Sequence, residues 1–238
     1  DVHRGAMFHP AAVVIPAALA LGEKMHVSGL DLLTAIIVGY EAGIRIGQAA
    51  GQAHYETWHT TGTCGVFGAA AAAGKLLNLD ENAMSWALGN AGTQAAGLWQ
   101  FLEDGALTKP LHPGRAAHSG LLAALMAKRG FTGPCRILEG EKGFLKATSS
   151  QYDLSAVSDE LGKRYRISDV SIKPYPSCRH SHPQIDAARE IARRPDFNPL
   201  EIDSVHVFTY SAAVAVAGGK GQYPSLTADA KFHSPYCV

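Results

Sequence analysis

The 238-residue sequence predicts a mainly α-helical protein, with a large all-helical domain followed by part of a smaller α+β module. Apolar residues recur at helical spacing through the first two-thirds of the chain. Many of these residues are Ala or Gly, as in Gly68-Ala69-Ala70-Ala71-Ala72-Ala73-Gly74, and small side chains let helix backbones approach closely. After about residue 149 the composition becomes charged, and alternating β-branched residues follow further on.

Local signals indicate where the helices of the first domain begin and end. Pro10 opens the first helix, because its fixed φ suits a first turn. Ser28 with Asp31 forms an N-cap pattern for the second helix, and Asp80 caps the fourth. Gly130 closes the fifth helix. The five helices are predicted at residues 11–25, 30–49, 65–77, 82–99 and 116–128.

The second part of the chain is predicted to mix strands with a helix. Residues 151–166 are charged and predict a surface helix and connector. Strands are predicted at residues 169–172 and 202–210, on either side of a helix at 183–194. Residues 217–221 predict a loop that lacks the GxxxxGK[ST] phosphate-binding pattern. We therefore expect domains at residues 1–166 and 167–238, in a chain that is a fragment of a longer one.

Composition excludes several classes of partner. Lys plus Arg and Asp plus Glu both number 21, so no overall field attracts nucleic acid or an anionic membrane. Apolar runs end well short of the roughly 20 residues that span a bilayer. The four cysteines show no CxxC spacing, which indicates reduced thiols and a cytoplasmic protein.

A Lys or His stands beside Gly or Pro at several places that are predicted to precede helices. Backbone N–H groups at a helix start already favour anions, so these cations predict a small polyanionic substrate. The segments are His9-Pro10, Trp58-His59-Thr60-Thr61-Gly62, Thr108-Lys109-Pro110-Leu111-His112-Pro113-Gly114 and Lys173-Pro174-Tyr175-Pro176.

Within these segments, His9 and His59 are the candidate acid–base groups, because each adjoins a helix start where an imidazole can face a cleft. Lys109, His112 and Arg115 crowd into seven residues and predict an anion pocket. Five other histidines are predicted to lie on the surface or in polar surroundings: His3, His26, His54, His118 and His206.

Two other kinds of site are disfavoured. The segment Cys178-Arg179-His180-Ser181-His182 offers three metal ligands, but no second Cys or His pair completes a tetrahedral set. No G-x-S-x-G motif indicates a serine hydrolase.

At these clusters the chain resembles the MmgE/PrpD family, over essentially its whole length. The matching stretches are Asp1-Val2-His3 with His9-Pro10, Trp58-His59-Thr60-Thr61-Gly62, Lys109-Pro110-Leu111-His112-Pro113-Gly114-Arg115-Ala116-Ala117, Lys173-Pro174-Tyr175-Pro176-Ser177-Cys178-Arg179 with His182, and Phe232 to Val238. The resemblance implies an all-helical domain with a smaller α+β lid, assembled as a homodimer. It also implies that the chain lacks an N-terminal helical stretch and much of the C-terminal part.

The resemblance also implies the roles of individual residues. His9 and His59 are implied as the catalytic histidine pair, Lys109 and Lys173 as site lysines, and Tyr236 as a catalytic hydroxyl. Asp1 is implied to belong to the family's acidic site segment, and Asp1, His112 and Arg115 are expected to bind substrate. The chemistry implied is proton movement at carbon beside a carboxylate, without a metal or organic cofactor.

The expected function is that of a cofactor-independent lyase of the dehydratase type, similar to 2-methylcitrate dehydratase, acting on a small di- or tricarboxylate. In this hypothesis His59 is the base and His9 the acid, or the reverse, while Lys109 and Lys173 hold carboxylates. Three alternatives stay open: an epimerase or racemase of an amino- or iminodicarboxylate, a cis-aconitate-type decarboxylase, and a non-catalytic dimeric helical scaffold.

Overall fold

A computed structural model describes residues 1–219 and 223–238, which fall into two compact units, Asp1–Ile172 and Lys173–Val238. The described chain is mainly α-helical, as the sequence predicts. The first unit contains strand β1 (Val2–His3) and strand β2 (Val170–Ser171), with helices α1 (Ala11–Met25), α2 (Gly29–Tyr55), α3 (Thr60–Thr63), α4 (Gly65–Leu76), α5 (Glu81–Gly92), α6 (Gln100–Asp104), α7 (Leu111–Lys128), α8 (Phe144–Thr148) and α9 (Ser155–Ser158). The second unit contains α10 (His182–Ala192), α11 (Ser211–Ala217), α12 (Thr227–Ala230) and α13 (Ser234–Cys237).

The predicted helix starts are confirmed by their capping contacts. Pro10 is the N-cap residue of α1. The Ser28 hydroxyl accepts from the Asp31 N–H at 3.1 Å and donates to its carboxylate at 2.6 Å, which fixes the start of α2. The Asp80 carboxylate accepts from the Ala83 N–H at 2.8 Å at the start of α5.

Three helix boundaries differ from the prediction. The second predicted helix is too short, because α2 continues past residue 49, through a kink at Gly51, to Tyr55. The fourth predicted helix is too long, because α5 ends at Gly92 and the chain then turns through Gly97, whose φ is +137°. The fifth is too short, because α7 begins at Leu111. Pro113 falls in the first turn of α7, where a missing N–H breaks no helical hydrogen bond.

Helix α4 is the centre of the first unit and packs against α1, α2, α5 and α7. Its glycines and alanines let neighbouring backbones come very close. A Cβ on Gly68 would lie 2.8 Å from the carbonyl oxygen of Gly39 in α2, and a Cβ on Gly120 of α7 would lie 2.5 Å from that of Val66. The prediction that small side chains allow close packing is therefore confirmed.

The predicted surface helix at residues 151–166 is wrong, because only Ser155–Ser158 is helical there. Glu160 and Gly162 have positive φ, which an α-helix does not tolerate. The buried Arg45 of α2 explains this path: its guanidinium donates to the carbonyls of Asp159 and Arg164. Its Nε lies 2.7 Å from Glu41, so the connector is held by a paired buried charge.

One of the two predicted strands forms and the other does not. Val170–Ser171 is a strand, but it pairs antiparallel with Val2–His3 inside the first unit. The strand predicted at residues 202–210 is wrong: no described segment pairs with it, and Phe208 there is 95% exposed. Alternating side chains reveal an extended backbone but not a partner for its N–H and C=O groups.

Two further expectations concern single segments. The helix predicted at 183–194 is confirmed as His182–Ala192. Of the loop predicted at residues 217–221, positions 220 and 221 lie outside the described residues. Within the described ranges, no helix is both long and apolar enough to cross a membrane.

We expect Gly68→Ala to lower the free energy of unfolding by about 2 kcal/mol, because the new methyl group overpacks the contact with α2. Gly114→Ala in α7 is the matched control, since its Cβ would meet nothing within 4 Å. Chemical denaturation of both variants measures the effect. Equal stability of the two variants would contradict the central packing described here.

Candidate active site

His59 occupies a fixed and water-poor position at the start of the short helix α3. Its backbone N–H donates to the Gly97 carbonyl at 2.9 Å, and its own carbonyl accepts from the N–H groups of Gly62 and Thr63. The side chain is 2% exposed. The Trp99 ring covers it, with centroids 4.6 Å apart.

His112 contacts His59 through the same ring atom. It is the second residue of α7, and its Nδ1 lies 3.0 Å from Nδ1 of His59. The side chain is buried but keeps 8% exposure. Phe101 packs edge-on against the His112 ring at 5.4 Å, so both histidines share an aromatic surround.

Lys109 brings a positive charge to this pair. It precedes α7 by two positions, and its Nζ lies 5.9 Å from the Trp99 ring centroid, a cation–π distance. Its charge lowers the pKa of both His59 and His112. The Lys109 ammonium is therefore electrostatically coupled to both imidazoles.

His9 approaches from the segment before α1. Its backbone N–H donates to the Thr61 hydroxyl at 3.3 Å, and its Nδ1 lies 2.6 Å from the Asp1 carbonyl. Because a carbonyl only accepts, Nδ1 of His9 carries the proton and a neutral His9 has its lone pair on Nε2. The Asp1 carboxylate accepts from the Ala11 N–H at 3.1 Å, at the start of α1.

Burial and positive charge together keep His59 neutral. Burial is the largest cause that lowers the pKa of His59 to about 2, and the charges of Lys109, His112 and His9 lower it further. The pKa of His112 is lowered by burial and by Lys109. An anion that entered this site would oppose those positive charges and raise both values.

The structure thus brings four of the eight expected site residues together within the first unit: His9, His59, Lys109 and His112. Asp1 adjoins this group through His9. Arg115 lies further along α7 with an exposed side chain.

The second unit holds Lys173 in a cationic cluster of its own. Burial lowers the pKa of Lys173, the nearby Cys178 opposes that shift, and the charge of Arg179 adds to it. His180 has a lowered pKa, first from burial and then from Lys173 and Arg179, and its Nδ1 is hydrogen-bonded to the Tyr210 hydroxyl.

Tyr236 lies beside a surface cavity of this unit. Its ring is 54% exposed and packs edge-on against Tyr223 at 6.2 Å. It lines a cavity of about 610 Å³ together with Tyr175, Lys231 and Cys237. Across residues 1–219 and 223–238, no group of three or more His, Cys, Asp or Glu side chains has a metal-binding arrangement.

The surface prediction for His54 is wrong, because this side chain is fully buried. Its Nε2 lies 2.7 Å from the Thr63 hydroxyl in α3, and its Nδ1 lies 3.0 Å from the Thr148 hydroxyl in α8. His54 therefore braces the helix that follows His59. Helical periodicity does not extend to His54, because Gly51, with a φ of +70°, interrupts α2 before it.

His3 is also buried rather than on the surface, with 3% exposure. Its Nδ1 accepts from the Ala6 N–H at 3.1 Å, so the ring closes the turn after β1. Trp99 and Phe101 were not predicted as site residues, because the contacts that bring them to His59 and His112 link distant parts of the sequence.

Comparison with known proteins gives two family matches. The MmgE/PrpD N-terminal domain matches residues 1–156, and the MmgE/PrpD C-terminal domain matches residues 175–238. Together these matches cover most of the chain.

The curated proteins that resemble this chain are named as cis-aconitate decarboxylases or as similar to them. A cis-aconitate decarboxylase-like protein of Aspergillus oryzae is 33% identical over 94% of this chain and 50% of its own length. A cis-aconitate decarboxylase of Aspergillus terreus is 35% identical over 82% of the chain and 42% of its own length. The cis-aconitate decarboxylase of Homo sapiens is 32% identical over 78% of the chain and 40% of its own length. The chain thus spans about half the length, or less, of the curated relatives it matches.

We expect His54→Gln to reduce the loss of stability in mild acid. In the folded protein burial lowers the pKa of His54 from 6.5 to about 4, so protons bind the unfolded chain more tightly. The contribution of neutral His54 is complete above pH 6.5 and is lost as the pH falls towards 4. Between pH 7 and pH 5 this loss is about 2 kcal/mol. Urea unfolding at both pH values measures it; an unchanged pH dependence in the variant would refute the assignment.

We expect Lys109→Met to raise the pKa of His112, because the ammonium of Lys109 is one of the two causes that lower it. An NMR titration of the histidine ring protons measures the change. Lys75→Met, at the exposed end of α4, serves as the control for loss of one positive charge. A His112 titration that is the same in both variants would show that Lys109 lies too far away to act.

Proposed function

Because the chain belongs to the MmgE/PrpD family, we propose that it carries part of the active site of a lyase that acts on a small tricarboxylate. The observation that supports this most is the buried contact of His59 with His112 beside Lys109 and His9. The relatives are named as cis-aconitate decarboxylases, so we place decarboxylation of a cis-aconitate-like acid ahead of dehydration. The sequence alone favours dehydration.

The chemistry needs an acid–base group and a stabiliser of negative charge in one place. In decarboxylation the bond from carbon to a carboxylate breaks, carbon dioxide leaves, and a carbon of the remaining anion takes one proton. An imidazole can supply that proton. A preplaced ammonium such as Lys109 stabilises negative charge that develops on a neighbouring carboxylate, by about 1.5–3 kcal/mol per charge-assisted hydrogen bond.

Substrate charge would also tune His59. Without substrate, burial, the charge of Lys109 and any charge on His112 or His9 hold the pKa of His59 at about 2, so the ring is neutral and carries a proton on only one nitrogen. A bound tricarboxylate would counter the charges of Lys109 and His9 and raise that pKa. The neutral ring of His59 would then accept a proton more readily once the anion has arrived.

The remaining assignments come from the family resemblance and belong to the same proposal. His9 would be the second acid–base group, Lys173 a carboxylate clamp, and Tyr236 a proton donor. Asp1, His112 and Arg115 would contact substrate, and the protein would form a homodimer. Dehydration would use the same groups to remove a proton beside a carboxylate and release water.

We expect the purified protein to release carbon dioxide from cis-aconitate, and His59→Gln to reduce kcat by about 100-fold or more. His118→Gln, an exposed histidine on α7, is the matched control and should leave kcat unchanged. The panel includes 2-methylcitrate, whose conversion to an unsaturated acid would indicate a dehydratase.

Other outcomes would replace this proposal. Solvent deuterium that enters an amino- or iminodicarboxylate without product loss would indicate an epimerase. A dimer that binds no tricarboxylate in calorimetry would indicate a non-catalytic scaffold. Full turnover in His59→Gln would remove His59 from the reaction.

A further inference from the structure

The two buried histidines meet through identical ring atoms. Nδ1 of His59 and Nδ1 of His112 are 3.0 Å apart, which is a hydrogen-bond distance. A neutral imidazole has one N–H donor and one acceptor nitrogen. One histidine must therefore donate from Nδ1 while the other accepts, so a neutral pair has two possible arrangements.

The two arrangements give His59 opposite chemical roles. When His59 donates from Nδ1, its Nε2 carries a lone pair and can accept a proton from a substrate. When His112 donates instead, the Nε2 of His59 carries a proton and can give it away. The base becomes the acid when a proton crosses the Nδ1–Nδ1 contact to His112 while Nε2 of His59 gains one proton and Nε2 of His112 loses one, so that both rings stay neutral.

We propose that His112 is the proton-relay partner of His59, which carries protons between that buried ring and solvent. This inference rests on the proposed function. When His59 acts as an acid, its Nε2–H bond breaks and a substrate C–H bond forms. The Nδ1–H bond of His112 breaks as His59 gains a proton at Nδ1, and water returns one proton to Nε2 of His112. The reverse sequence removes a proton from substrate.

The surroundings of His59 explain why a relay is needed. Its Nε2 is buried and hydrogen-bonded to no group within the described residues, so solvent does not reach it directly. His59 is 2% exposed and His112 is 8% exposed, so His112 is the more accessible member of the pair. It also contacts the nitrogen of His59 that is opposite the buried Nε2, as a relay partner must.

Charge around His59 favours the same route. Lys109, His112 and His9, which come from two segments, all disfavour an imidazolium there, and burial disfavours it more. In the relay each proton that enters one nitrogen of His59 is matched by one that leaves the other. His59 can then act as acid or base without holding a full positive charge.

The relay differs from the substrate-binding role that the family resemblance implies for His112. A residue that only binds substrate affects KM, since its contact is equal in the ground and transition states. A relay partner affects kcat, because the proton that it supplies is used only in the reaction. His112→Asn separates the two roles: the amide oxygen can accept from Nδ1 of His59 but cannot pass a proton on.

The first experiment needs no substrate. In protein labelled with ¹⁵N at histidine, a scalar coupling between Nδ1 of His59 and Nδ1 of His112 is expected across the hydrogen bond. It should vanish in His112→Asn and persist in His118→Gln. Absence of this coupling in the unaltered protein would show that the two Nδ1 atoms are not hydrogen-bonded, and would overturn the proposal.

The second experiment is kinetic and uses cis-aconitate with the same variants. For His112→Asn we expect kcat to fall about 10- to 100-fold, the scale of general acid–base catalysis, with KM changed less than about threefold. His118→Gln should match the unaltered protein. A raised KM with unchanged kcat would replace the relay by substrate binding.

The two experiments separate failure of the relay from failure of the proposed function. If the coupling is present but the unaltered protein converts neither cis-aconitate nor 2-methylcitrate, the lyase function is rejected. The proton transfer from His112 through His59 to substrate is then rejected with it. Turnover that is unaffected in kcat by His112→Asn would keep the lyase and reject the relay alone.

Discussion

The arrangement of the candidate site depends on the close backbone contact of helix α4 with helix α7. A Cβ on Gly120 would lie 2.5 Å from the carbonyl oxygen of Val66, so the two helices can approach this closely only without a side chain there. Val66 follows His59 by a few residues, and Gly120 follows His112 by about two turns. The register of α4 against α7 thereby sets the position of one histidine relative to the other.

Buried charges in the first unit have two different kinds of surroundings. Arg45 is 2% exposed, and its guanidinium is balanced by Glu41 and by backbone carbonyls, so that charge stabilises a connector. At His59 the named charges are all positive, and each adds to the effect of burial. An anion that bound there would oppose these charges, which is why we propose an anionic substrate.

The two compact units correspond to the two family domains, with the N-terminal match inside the first unit and the C-terminal match inside the second. Each unit gathers positive groups around histidine. His59, His112 and Lys109 form one such group, and His180 lies with Lys173 and Arg179 in the other. In both, burial and neighbouring cations lower the pKa of an imidazole, so the same physical strategy recurs in each unit.

The sequence by itself determined the helical class, the starts at Pro10, Ser28 and Asp80, and the family, because capping and periodicity act over a few neighbouring residues. It also identified His9, His59 and Lys109 as one chemical set, although not their distances. Only the tertiary structure decided that His54 is buried, that residues 202–210 form no described strand pair, and that His59 touches His112. Those facts depend on which segments pack together across long stretches of chain, and local sequence preferences do not encode such contacts.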